Sequence, residues 1–359
     1  MQREAMINQL PAVSEGSGMT ALVWTTLRIV LENALCRGVS AIAIALVAVV
    51  PAYSPSAYSG ERIYSIGSLN TADQFINSFE GFRERMGELG YRDGKNVRYQ
   101  YYNSRGNAEL LRTLARRLVR DKVDMIVTSS TTGTVVAAKA TEGTPIPVLF
   151  LSSGNPQALV KGFASSGSNL AGISSASLEL MGRRFELLKE LSPKAKRVAL
   201  PLDPKNVNYK ATVSETREAA GKLNLIVVEL PVASTEELAK VTGAIQRKSY
   251  DAIFSSADSV ITEGIDVLVG QSVKEKLPLI TSLLVNVQRG CLATYAADYA
   301  ALGKQGAVLA HKIFRGAKPA DLPIELPHKI NLALNLTTAK AIGLNIPKEI
   351  MLRADVVIE

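Results

Sequence analysis

The sequence predicts an α/β protein built from two similar Rossmann-like lobes with parallel sheets. Short β-rich runs alternate with amphipathic stretches beyond residue 60, the pattern of a parallel sheet covered on both faces. The same order of segments recurs about 130 residues later. The 300 residues that follow Ser59 are also enough for about two domains at ~100–200 residues each.

Residues 62–69 are predicted as the first strand. Phe75, Phe79, Phe82, Met86 and Leu89 follow at spacings of four, three, four and three, a single helical stripe facing a core. Residues 96–102 read as a strand, Leu110, Leu111, Leu114 and Leu118 as a helical face, and 125–127 and 148–151 as two more strands. In the second half Arg62-Ile63 corresponds to Arg197-Val198, Asn96 to Asn224, Asp124 to Asp251 and Pro147 to Pro278, at offsets of 135, 128, 127 and 131. Such a repeat exceeds solenoid periods of ~20–50 residues and implies two like lobes. Gly167, Asn169 and Gly172 mark a first crossing between them. Residues 291–294 and 329–335 are strand-like but outside the repeat, so further crossings are expected near 293–298 and 322–330. The expected lobes are 61–172 with about 295–322, and 173–294 with about 323–359.

Ahead of the lobes stands a leader, residues 1–59, with an apolar run of twelve residues at 39–50. A helix needs ~20 apolar residues to span a bilayer, and extending this run backwards would enclose Arg28, Glu32 and Arg37. Arg37 before the run and the small-residue stretch ending in Ala57-Tyr58-Ser59 after it read as an export signal cut near Ser59, with Met1 or Met19 as its start. The expected location is therefore the periplasm. Cys36 would leave with the leader, and Cys291 alone cannot form an internal disulfide.

The formal charge is +8, yet the basic residues are scattered along helix faces, such as Arg112, Arg116, Arg117 and Arg120. Without a basic stripe or recognition motif this is a solvated surface, and nucleic acid is not an expected partner. Enzyme signatures are missing: there is no G-x-S-x-G elbow, no G-x-G-x-x-G fingerprint and no P-loop. The two histidines, His311 and His328, stand far from any Cys or acidic cluster and read as surface residues, so neither a metal nor a cofactor is expected.

Ligands of open parallel sheets bind beyond the carboxyl ends of the strands. After the third strand of each lobe come residues 128–134 (TSSTTGT) and 255–259 (SSADS), hydroxyl-rich tracts that suit an anion at a helix start and equally suit helix capping. Ser130 and Thr131 in the first tract are candidate ligand contacts, with Asp258 in the second as a candidate for an amino group. Asn155 before Pro156, and Asn206 and Asn208 after Pro204, are ligand hydrogen-bonders or turn residues. Tyr295 and Asp298 lie near the second crossing, and Asn70 directly after the first strand.

Several segments together resemble the ABC-transporter substrate-binding proteins related to tryptophan and tyrosine binders. They are Gly81-Phe82 through Leu89-Gly90-Tyr91, Gly94-Lys95-Asn96-Val97, residues 124–127, Asn169 with Gly172 and Ser174, and 187–193. The most specific are 316–323 (GAKPADLP) and 335–344 (NLTTAKAIGL), and the likeness covers about residues 61–359. The resemblance implies a type I periplasmic-binding-protein (Venus-flytrap) architecture, no catalysis, and ABC permease subunits as partners that alone connect the protein to the membrane. It places ligand positions on Thr131, Asn155, Asn208, Asp258, Tyr295 and Asp298. Two positions depart from the family pattern: Asn155-Pro156 stands where Asp-Pro is common, and Tyr295-Ala296 where Tyr-Gly is common. Losing a carboxylate there removes a partner for a ligand ammonium.

The expected function is capture of a small organic ligand, an amino acid or derivative, between lobes that close around it. A ligand-sensing partner of a membrane receptor is the alternative on the same fold. A DNA-binding regulator would need a helix-turn-helix before Gly60, where the apolar leader stands.

Overall fold

The computed structural model describes residues 62–359. The expected leader, with its apolar run at 39–50 and its cut near Ser59, lies outside the described residues. The first sheet holds β1 (Tyr64–Asn70), β2 (Val97–Asn103), β3 (Met125–Thr128), β4 (Val148–Ser153) and β5 (Leu170–Ser174) in the order β2-β1-β3-β4-β5, all parallel. The second holds β6 (Arg197–Leu202), β7 (Ile226–Pro231), β8 (Ala252–Ser255), β9 (Leu279–Thr281), β10 (Ala293–Ala297), β11 (Ile330–Asn335) and β12 (Val356–Ile358). Its order, β12-β11-β10-β9-β8-β6-β7, repeats that of the first sheet along β7-β6-β8-β9-β10. Only the β10-β11 pair is antiparallel.

The internal repeat has a physical basis at its aspartates. The Asp124 carboxylate accepts from Ser65 N at 2.8 Å, and that of Asp251 from Lys196 N and Arg197 N at 2.8 and 2.9 Å. Each aspartate thus ties the start of its own strand to the start of the strand beside it. Pro147 and Pro278 are likewise equivalent, their carbonyls accepting from Ile126 N and Ile253 N at 3.0 and 2.9 Å.

Both faces of each sheet are covered, which gives four buried apolar clusters. On the first sheet, α1 (Ile76–Glu88) brings Phe79, Phe82 and Met86 to one face, and α2 (Ala108–Arg120) and α3 (Thr131–Ala140) cover the other. In α2 the buried residues are Leu111, Ala115 and Leu118, at helical spacing of four and three; Leu110, expected in this stripe, points to solvent. On the second sheet, α4 (Met181–Leu191) and α5 (Tyr209–Gly221) share one face with α11 (Leu336–Ile342) and α12 (Lys348–Arg353), and α6 (Thr235–Thr242) and α8 (Ile265–Glu275) cover the other.

The chain passes between the sheets three times. It leaves β5 for α4, which packs on α5 and β10. It returns at Asp298, because β10 belongs to the second sheet whereas α10 (Tyr299–Phe314) packs on α1, β4 and β5. The third passage follows Glu325, whose backbone bonds to Gly172 and Ser174 beside β5 before the chain enters β11.

Candidate functional site

The carboxyl ends of both sheets border one cleft of about 660 Å³ including its mouth. Ser130, Thr131 and Thr132 line it from the cap and first turn of α3, with Ser152 and Gly154 from the end of β4. Asn206 and Asn208 after β6, Ser256 to Ser259 after β8, and Ser282 after β9 line it from the other side. Phe75 and Tyr299 are stacked at 5.9 Å with planes 13° apart and give the cleft an aromatic wall.

The hydroxyl tract divides its work. Ser130 caps α3, its Oγ accepting from Gly133 N at 3.1 Å, and Thr134 donates to the Ser130 carbonyl at 2.7 Å. Thr131, only 2% exposed, lies 3.0 Å from Ser153 Oγ and accepts from Asn155 N at 3.3 Å. Thr132 faces the cleft. Ser130 therefore both caps α3 and borders the cleft with Thr131 and Thr132, while Thr134 bonds back within its own helix.

Asp258 is both cap and wall. Its Oδ1 accepts from Val260 N at 2.8 Å and Ile261 N at 3.3 Å, starting the short α7 (Ser259–Glu263), and its Oδ2 accepts from Asp203 N at 3.3 Å. With 5% exposure, burial pushes its carboxyl up to about 6 in spite of those bonds. An acid raised from 3.8 to about 6 on folding penalises the folded state once ionised. The penalty is absent below about pH 3, grows as pH rises between about 4 and 6 and is complete above about pH 7, at roughly 3 kcal/mol if each pH unit counts ~1.4 kcal/mol. Asp258→Asn removes the charge and keeps the Oδ1 cap, but its amide nitrogen cannot accept from Asp203 N, which costs about 1 kcal/mol. Urea titrations of the unliganded protein should find the variant more stable than the native chain by about 1–2 kcal/mol above pH 7, an advantage that falls by about 3 kcal/mol on going to pH 3. A gap that does not change with pH would contradict this account of Asp258.

Of the residues expected at the site, Ser130, Thr131, Asn208 and Asp258 meet in the cleft. Asn70 is fully buried behind it, donating to Ser68 Oγ at 2.8 Å. Asn155 lies next to the cleft-lining Gly154 and donates its N–H to Thr131. Tyr295 packs within the core of the second sheet and its hydroxyl accepts from Arg353 at 3.0 Å. Asp298 caps α10, accepting from Ala300 N at 2.8 Å. Residues not expected from sequence include Phe75, Tyr299 and Thr71, whose Oγ1 donates to Ser130 Oγ at 3.1 Å and lies 3.4 Å from Ser259 Oγ across the cleft. Cys291 is fully buried, which pushes its thiol up and leaves it unreactive. His328 is exposed, while His311 is half-buried with Nδ1 3.0 Å from Tyr91 Oη.

Two α/β lobes of repeated strand order with a polar cleft at their strand ends define a solute-binding protein of the type I periplasmic fold. The chain belongs to the ABC transporter substrate binding protein family, whose model matches residues 70–358. A tyrosine-binding protein from Clostridioides difficile (strain R20291) is 27% identical over 265 residues, 74% of this chain and 76% of that one. The ABC domain from Streptococcus pneumoniae in complex with L-Trp is 27% identical, with a TM-score of 0.76 over 82% of this chain and 100% of its own. A ligand-free, open substrate-binding protein with adhesive properties from Clostridium difficile is 25% identical, with a TM-score of 0.62 over 82% of this chain and 99% of its own.

Proposed function

We propose that this protein is an exported receptor that captures a small organic ligand, an amino acid or derivative, between two closing lobes and delivers it to an ABC permease in the membrane. The lobes are 61–172 with about 295–322, and 173–294 with about 323–359. The observation that carries the reading is the cleft itself, where Thr71 from the first sheet's side approaches Ser259 from the second at 3.4 Å. The higher TM-score with the L-Trp complex than with the open, ligand-free relative supports a closed arrangement here. With Thr71 and Ser259 in contact across it, the cleft must open to admit such a ligand, so hinge motion between open and closed forms is the working cycle. The twelve-residue apolar run at 39–50 supports export.

Asn208 offers a test that separates binding from folding. Its Oδ1 is buried and has no hydrogen-bond partner among the described residues, so it is available to a ligand. Asn208→Ala should leave the unliganded Tm nearly unchanged and weaken the ligand about tenfold, the equivalent of ~1.4 kcal/mol. A thermal-shift screen of amino acids, their derivatives and small acids supplies the readout, since a ligand at 100 times its Kd stabilises by about 2.7 kcal/mol. A ligand bound equally well by both proteins would refute Asn208 as a contact.

A further inference from the structure

Arg184, on α4, is 1% exposed and is the largest fully buried side chain among the described residues. Its Nε donates to the Tyr295 carbonyl at 2.9 Å, Nη1 to that of Ser177 at 2.6 Å and Nη2 to that of Ser282 at 3.4 Å. No ion pair is made to it among the described residues. A buried cation held by carbonyl dipoles, with no carboxylate at ion-pair distance and only that of the exposed Glu179 acting on it through space, lacks the direct partner that normally offsets its desolvation. Burial lowers its pKa only to about 10, so it stays charged at neutral pH.

The missing anion has a place to sit. Ser177 and Ser282, whose carbonyls hold the guanidinium, both line the cleft. Ser282 is 3% exposed and its Oγ has no hydrogen-bond partner among the described residues. Leu178 and Met181 also line the cleft, and α4 begins there without a capping side chain, which turns the positive end of its dipole towards the same space. Asp258, the one acidic side chain on the cleft wall among the described residues, has both carboxylate oxygens bonded to backbone N–H groups, whereas Ser282 Oγ is left unbonded. Asn155 brings no carboxylate either.

We infer that the cleft selects a carboxylate ligand whose charge is answered by buried Arg184, with Ser282 Oγ as a direct donor, and that an ammonium group on the ligand is dispensable. This rests on the solute-binding reading above and narrows its ligand class to organic carboxylates, with or without an amino group. Arg184 is a specificity-determining residue acting through the wall: low-dielectric surroundings carry its field to the cleft far better than water would.

The test compares matched skeletons by thermal shift and calorimetry. Tryptophan, tyrosine and leucine frameworks are each presented as the amino acid, as the same skeleton without the amino group, and as the amine without the carboxylate. In the native protein the deaminated carboxylates should bind at least as tightly as the amino acids, and the amines should not bind. Arg184→Gln should reduce carboxylate affinity by about tenfold or more, ~1.4 kcal/mol, and erase the preference for carboxylate over amine, a ratio that a purely structural role would leave in place. Arg184→Lys should restore part of it. An amino acid bound at least about tenfold more tightly than its deaminated form, any amine bound as well as its carboxylate, or an unchanged ratio in Arg184→Gln would overturn the inference. If the variants do not fold, the comparison in the native protein decides. Binding of a neutral sugar alone would overturn the inference and leave the solute-binding reading standing, whereas silence across both sets would overturn both.

Discussion

Gly303→Ala should destabilise the protein by at least about 3 kcal/mol, a drop in Tm of roughly 6–12 °C. α10 crosses α1 at backbone contact. A Cβ on Gly303 would fall inside the van der Waals shell of the Ser78 carbonyl oxygen and 2.7 Å from Phe82 N, and one on Gly81 would meet the Ala300 carbonyl in the same way. Side chains in a core can change rotamer, but two helix backbones cannot, so the usual overpacking cost of ~1–3 kcal/mol is a lower bound here. Gly87 on α1 is the control. Its Cβ would meet nothing within 4 Å, so Gly87→Ala should stabilise by about 0.5–1 kcal/mol through helix propensity. Equal effects of the two substitutions, read by urea unfolding, would show that the helix contact is not as close as described.

The contact matters beyond stability because α10 begins at Tyr299, which stacks on Phe75 and forms the aromatic wall of the cleft. Gly303 lies one turn later on the same helix. The small residues that let α10 sit against α1 thus fix where that wall stands.

Much of this fold is legible in the sequence, since its strands are short apolar runs and its repeat keeps Asp124, Asp251, Pro147 and Pro278 at like positions in the two sheets. The site is less so. Asp258 and Asp298 both cap helices with the same pattern of N–H bonds, yet only Asp258 borders the cleft. Nothing local distinguishes them, because capping and ligand contact draw on the same side-chain chemistry. Tyr295 stands on β10, where successive side chains alternate between faces, and its ring goes to the core side with Arg183 5.9 Å from it. Arg184 reads in sequence as one of two arginines on an amphipathic helix; only the crossing strand and the loop after β9, distant in sequence, show that its guanidinium is enclosed. Thr71 gains its meaning in the same way, from a residue 188 positions further along the chain.

Thr71 and Ser259 give the most direct measurement of the central claim, that the two sides of the cleft close on a ligand. Their hydroxyl oxygens are 3.4 Å apart, close enough for cysteine sulfurs in their place to form a bridge of ~2.05 Å after small rotamer changes. Cys291 is fully buried and will not compete for it. In the Thr71→Cys, Ser259→Cys protein, mild oxidation with a saturating ligand should form the 71–259 disulfide about tenfold faster or more than without ligand, because only the closed form brings the thiols together. Once formed, the bridge should slow ligand release by a similar factor or more and raise the Tm, since a disulfide closing a loop of this length contributes at most about 5 kcal/mol. A rate of bridge formation that is the same with and without a bound ligand, or a bridge that leaves ligand release unchanged, would contradict closure across this cleft.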